Sequence, residues 1–276
     1  MTKISIIIPC LNAVKFIEET IQSVLSQDYP NFELIVADGG SNDGTLDILK
    51  KYEKRLMWKS EKDNCKTDAI NKGLKLASGD VVAYICADDV YEKDCFKKVA
   101  DFFEKNPDIK WAYGKCKVID EKGLEIRKPI TWYKNFWQRR YSYNKLLVID
   151  FIAQPAVFWR KELTGEIGLF DVNAMLVMDY EYWLRAGAKY NPGFIDDYLA
   201  GFRQHRQSES SVGFSGAARE LLSFAKRYAK SEKRNFLVPL QYLNYFSVVL
   251  GYFILNLVSP LGAKSRESTT ARNNQH

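Results

Sequence analysis

Histidine is nearly absent: the chain of 276 residues holds two, His205 and the terminal His276. A zinc centre built on spaced histidines or on paired cysteines is therefore excluded. The five cysteines, Cys10, Cys65, Cys86, Cys95 and Cys116, include no C-x-x-C pair. Their odd number fits buried or incidental thiols in a reducing compartment better than a disulfide framework. No G-x-x-x-x-G-K-[ST] motif occurs, which removes a P-loop. A dinucleotide fingerprint fails as well, because the turn PCLN after the first apolar run has no glycine. In DGGSNDGT (Asp38 to Thr45), Ser41 occupies the position where the pattern needs the next glycine. The N-terminus offers only Ile4 and Ile6 to Ile8 before Pro9, too short for a signal segment, so the folded part is expected in the cytosol. A net charge of +6 is too weak to argue for nucleic acid unless it is clustered.

What is present is an alternation of strand and helix signals. Lys3 to Ile8 is a short, mostly apolar run closed by Pro9, the pattern of a strand buried on both faces. Apolar positions at helical spacing follow from Val14 to Gln27. The pattern repeats in a strand at Phe32 to Ala37, a helix at Thr45 to Tyr52, a helix across Thr67 to Ala77, a strand at Val81 to Ile85 and a helix from Lys93 to Lys105 ahead of Pro107. Such alternation predicts an open, mostly parallel α/β sheet with flanking helices and with ligands at the carboxyl ends of its strands. No repeat and no Ser- or Gly-rich linker interrupts the chain. Residues 1–220 read as one domain, 221–263 as a basic then apolar helical segment, and 264–276 as a polar disordered tail.

The stretch VVAYICADDV places two adjacent carboxylates, Asp88 and Asp89, at the end of an apolar strand. Two such charges repel unless a cation, a partner charge or solvent offsets them. A hard divalent cation held by one or two carboxylates plus substrate phosphates is one solution, and a solvated turn capping the next helix is the other.

The blocks SIIIPCLNAVKFIEETIQSVLSQDYPNFELIVADGGSNDGT, DNCKTDAINKGLKLASGD, CADD, MDYEYWLRAG and FRQH occur in this order over residues 3–211. Together they resemble the family 2 glycosyltransferases, inverting enzymes with a GT-A fold and a Rossmann-like nucleotide-binding half. The resemblance implies transfer of a sugar from a nucleotide-sugar, a UDP- or dTDP-sugar, to a hydroxyl of a glycan or lipid-linked acceptor, assisted by Mn²⁺ or Mg²⁺. The alternative is a catalytically silent nucleotide-sugar-binding or assembly subunit. The resemblance further implies that Asp89 is the principal metal ligand and that His205 completes the metal shell. Asp88 would face the donor sugar or ribose, and Arg203 the diphosphate. Pro9, Leu11, Asp38 and Asp68 would contact the nucleotide, Asp38 at the imide of the base. A lone histidine, a turn-forming Asp before two glycines and an Asp at a helix N-terminus have ordinary structural roles too.

In MDYEYWLRAG, Asp179 aligns with the catalytic base of the pattern E-D-Y-D-x-W-L-R. Met178 replaces the preceding acid and Glu181 the following one. Asp179 and Glu181 stand two apart and cannot both face one side of a helix, so Asp179 is expected to be the base and Glu181 is its competitor.

The aromatic, basic WYKNFWQRRY (Trp132 to Tyr141) suits an acceptor loop, plain packing or a membrane contact; nucleic acid is set aside. From Asn235 to Ala263 no charged residue occurs, and FAKRYAKSEKR precedes this run with five basic residues against one Glu. A membrane span, an interfacial helix and a helix packed on the domain are the three readings, the basic flank favouring the cytoplasmic face.

Overall fold

The computed structural model describes residues 1–205, 208 and 214–258, with backbone alone at 214–215 and 252–258. Arg206 and the polar tail from 264 lie outside the described residues. The first half contains β1 (Ile4–Cys10), α1 (Ile17–Leu25), β2 (Phe32–Asp38), α2 (Thr45–Lys51), β3 (Met57–Ser60), α3 (Lys66–Leu76), β4 (Val81–Tyr84), β5 (Val90–Tyr91) and α4 (Cys95–Lys105). The second half contains β6 (Trp111–Ile119), β7 (Glu125–Ile126), α5 (Lys128–Gln138), α6 (Tyr143–Leu146), β8 (Val157–Arg160), α7 (Lys161–Ile167), α8 (Met178–Lys189), β9 (Gly193–Arg203), α9 (Phe214–Ser231) and α10 (Val238–Val258).

One mixed sheet of nine strands carries the domain, in the order β3-β2-β1-β4-β8-β6-β9-β5, with β7 paired to β6. All seven residues of β1 are buried because parallel neighbours β2 and β4 flank it and helices cover both faces. α1 turns Ile17, Ile21, Val24 and Leu25 inward at helical spacing. α3 comes so close to β1 that a Cβ on Gly73 would sit 2.4 Å from a methyl of Ile7. Beyond β4 the pairing becomes mixed. β8 inserts antiparallel between β4 and β6, and β5 closes the far edge antiparallel to β9. Parallel pairing returns between β6 and β9, with irregular register around Gly114 and Lys115.

α8 is buried along most of its length, its Trp183 stacked on Trp111 at 5.6 Å and its Tyr182 on Phe170 at 4.1 Å. α9 crosses residue 220 and packs against α8, where the Glu220 carboxylate accepts the backbone N–H groups of Met175 and Leu176. α10 lies on α9, and the buried Gln241 amide donates to Leu147 O and Ala225 O. Among the described residues no helix is long and apolar enough to cross a membrane. Pro239, Gln241 and Asn244 interrupt the apolar face of α10, and the spanning reading is dropped for this helix.

Candidate active site

The carboxyl ends of β1 and β4 open into a cavity of about 1100 Å³, whose far wall is made by α5, α9, α10 and the segment 148–155. Pro9, Leu11, Asp88, Asp89, Asp179 and His205 all line it. The topology thus gathers into one space residues more than a hundred positions apart.

Asp89 is 1% exposed. Its Oδ1 accepts the backbone N–H of Arg203 at 2.7 Å, and its Oδ2 is buried with no protein partner. Thr20 fixes the turn beneath by donating to the carbonyls of Ala87 and Asp89. Burial, and then the charge of Asp88, push the Asp89 carboxyl well above the usual carboxylate range. A bound cation favours the ionised form instead. An orphaned, buried carboxylate oxygen on a residue that lines a cavity suits a hard cation, so the residues fit a divalent metal. Ligand atoms of Cys86, Asp88 and Asp89 all lie within 4.8 Å of one another. His205 stands behind this group: its Nε2 is 3.0 Å from Asp88 Oδ2, and its ring leans on Phe16.

Three expected nucleotide contacts are placed differently. Arg203 is fully buried, and its guanidinium is taken by Asp88 O, Asp120 O and the Glu19 carboxylate. It braces the acidic turn from behind and does not line the cavity. Asp68 pairs with Lys72 and accepts Asn64 N–H, also outside the lining. Asp38 is 2% exposed, and its carboxylate accepts from Gly40 N, Ser41 N, Ser41 Oγ and Ser60 Oγ. Burial alone would raise its pKa; these donors outweigh it and hold the carboxyl below its usual range. Asp63 is the carboxylate that reaches the cavity at this end, packed so tightly over the loop that a Cβ on Gly39 would meet its Oδ2 at 2.8 Å.

At the opposite wall Asp179 sits in the first turn of α8 and lines the cavity. Burial raises its carboxyl, opposed by backbone N–H groups at the helix head and by Lys66 and Lys134. Glu181 faces away, 1% exposed, bound by Arg185 through both oxygens and by the Tyr228 hydroxyl at 2.6 Å. The fold separates the two acids, one into the cavity and the other into the α8–α9 interface. A residue with no motif joins the base: Asp150 lines the same cavity. Burial raises it to about 6, with Lys134 opposing and the Asp179 charge adding.

The model of glycosyl transferase family 2 matches residues 5–168. The chain belongs to this family. Among its relatives, a PGL/p-HBAD biosynthesis glycosyltransferase of Mycobacterium bovis (strain BCG / Pasteur 1173P2) is 30% identical over 200 residues, 71% of this chain and 73% of that protein. The putative teichuronic acid biosynthesis glycosyltransferase TuaG of Bacillus subtilis (strain 168) is 29% identical over 78% of this chain and 84% of its own. In fold, this family 2 chain is similar to the mannosyltransferase PcManGT from Pyrobaculum calidifontis, solved with GDP-Man and Mn²⁺. The TM-score is 0.65 at 16% identity, over all of this chain and 81% of that one. It is similar also to S. aureus TarS solved with UDP-GlcNAc, with a TM-score of 0.61 at 21% identity over 80% and 66% of the two chains. The chain is a nucleotide-sugar-dependent glycosyltransferase.

Proposed function

We propose that this glycosyltransferase is inverting and metal-assisted, moving a sugar from a UDP- or dTDP-sugar to a hydroxyl of a glycan or lipid-linked acceptor. The observation that carries the reading is the sharing of one cavity by Asp179 and the orphaned Oδ2 of Asp89. Pro9 at the end of β1 and Leu11 just after it border the nucleotide end, with Asp63 beside the neighbouring loop that Asp38 holds. Asp88 and Asp89 would hold the cation, which when bound neutralises charge on the departing diphosphate. Asp179 takes the proton of the acceptor hydroxyl as its oxygen attacks the anomeric carbon from the face opposite the diphosphate. The carbon–oxygen bond to the phosphate breaks, and its electron pair leaves with the nucleoside diphosphate. The raised carboxyl of Asp179 suits a base working near neutral pH.

The acceptor end favours a membrane surface. Leu243, Phe246 and Leu250 of α10 and Trp132 and Phe136 of α5 are exposed, while other residues of the same two helices line the cavity. Lys226, Lys230 and Lys233 stand on the adjoining helix and turn, and the Lys226 ammonium donates to Tyr242 across the two helices. An apolar face flanked by basic residues rests on an anionic cytoplasmic leaflet, bringing a lipid-linked hydroxyl to Asp179.

The test is turnover of a panel of UDP- and dTDP-sugars with Mn²⁺ and with excess EDTA, in the wild type and in Asp179→Asn. Transfer supported by Mn²⁺, lost in EDTA and reduced by orders of magnitude in Asp179→Asn with donor affinity nearly intact, supports the proposal. Donor binding without turnover in the wild type would instead favour a silent binding subunit.

A further inference from the structure

The cluster at the end of β4 contains a ligand that the acidic pair does not account for. Cys86 lines the cavity two residues beyond the strand, and the Asp89 N–H donates to the Cys86 carbonyl at 3.1 Å. This tight turn folds residue 86 back over Asp88 and Asp89, so that the sulfur and one oxygen of each carboxylate lie within 4.8 Å of one another. Ligands of a single cation stand about 3–4.5 Å apart when each is roughly 2.0–2.3 Å from the metal, and a small closure meets that condition. The buried Oδ2 of Asp89, without a protein partner, is a second observation that points to a cation.

We infer that Cys86 Sγ is the third protein ligand of the donor-site cation, making a thiolate–dicarboxylate centre that takes thiophilic divalent ions and discriminates against Mg²⁺. The inference rests on the reading of Asp89 as a metal ligand and deepens it. Mg²⁺ demands hard oxygen ligands and near-ideal octahedral geometry, and a sulfur in its sphere satisfies neither condition. Mn²⁺, Co²⁺, Zn²⁺ and Cd²⁺ accept a mixed sulfur and oxygen set, with thiolate preference strongest in the last two. Cys10, Cys65 and Cys116 also line the cavity but have no place in the cluster, and they serve as internal controls.

The experiment is titration of the full chain, in the presence of UDP, with Co²⁺ followed by absorption spectroscopy and with Cd²⁺ and Mg²⁺ followed by calorimetry. A near-ultraviolet thiolate-to-Co²⁺ charge-transfer band is expected in the wild type and in Cys65→Ser, and none in Cys86→Ser. Cys86→Ser should weaken Cd²⁺ by at least about 10-fold relative to Mg²⁺, and Cys86→Asp should give Mg²⁺ the tighter site. If the band and the Cd²⁺ preference survive in Cys86→Ser while Asp89→Ala abolishes binding, the thiolate inference is overturned and the acidic site stands. If no cation binds the wild type, the metal reading fails together with it.

Discussion

Replacing Asp38 by Ala removes the acceptor on which the loop after β2 is hung. Four donors lie at 2.5 to 3.0 Å from that carboxylate: Gly40 N, Ser41 N, Ser41 Oγ and Ser60 Oγ. A hydrogen bond to an ionised acceptor contributes about 1.5–3 kcal/mol. The two hydroxyls can rotate to other acceptors, whereas the two amides are fixed by the turn. The expected loss is therefore that of two strong bonds, about 3–6 kcal/mol. Against a total stability of about 5–15 kcal/mol this is a large share, and urea unfolding measures the shift in midpoint. Asp38→Asn keeps one oxygen but points an NH₂ at donors, and about half the loss is expected. The pH dependence has a definite sign. Because the folded carboxyl is held below its usual range, its contribution is present above roughly pH 4 and is lost as pH falls through the folded value. Calorimetry with UDP and CDP completes the assay. A stability loss under about 1 kcal/mol, with UDP binding abolished and CDP binding intact, would refute the loop argument and make Asp38 a reader of the base.

Asp150→Asn removes a like charge from beside Asp179, so the acid limb of the kcat/KM profile is expected to move to lower pH; Lys134→Met removes an opposing cation and should move it to higher pH. Limbs that stay in place would show that neither residue addresses the base. Glu181→Gln breaks the buried pair with Arg185 and should cost about 3–5 kcal/mol of stability in urea, with kcat preserved in the folded fraction. Vesicles containing anionic lipid should retain the wild type and release the triple variant Leu243→Ser, Phe246→Ser and Leu250→Ser; equal retention would assign that face to a protein partner.

The first half of the fold was legible because its strands are buried on both faces and its helices alternate cleanly, as Ile6 to Ile8 and Ile17 to Leu25 show. β3, MWKS, was not, since an edge strand with mostly exposed residues carries no apolar pattern. The antiparallel entry of β8 was equally invisible, because VFWR looks the same whichever way it pairs. Adjacent acids at a strand end announced the Asp88–Asp89 site. Asp150 carries no local signal, and only the packing of segment 148–155 against α8 brings it to Asp179. Arg203 was expected at the diphosphate, whereas the structure lodges its guanidinium against Asp88 O, Asp120 O and Glu19; spacing along a strand end does not say which way the last side chain points.

The bond from Arg203 N–H to Asp89 spans 114 residues and joins the first-formed half of the sheet to its last strand. Next to it, Val90 pairs with Gly201 and Tyr91 with Ala200. A nascent chain carries both acids long before the N–H that holds Asp89 arrives with β9. The same seam then makes occupancy and cohesion one equilibrium. If nucleotide and cation bind as proposed, they should raise the free energy of peeling β9 from β5, and amide exchange along Ala200 to Arg203 should slow as the pocket fills.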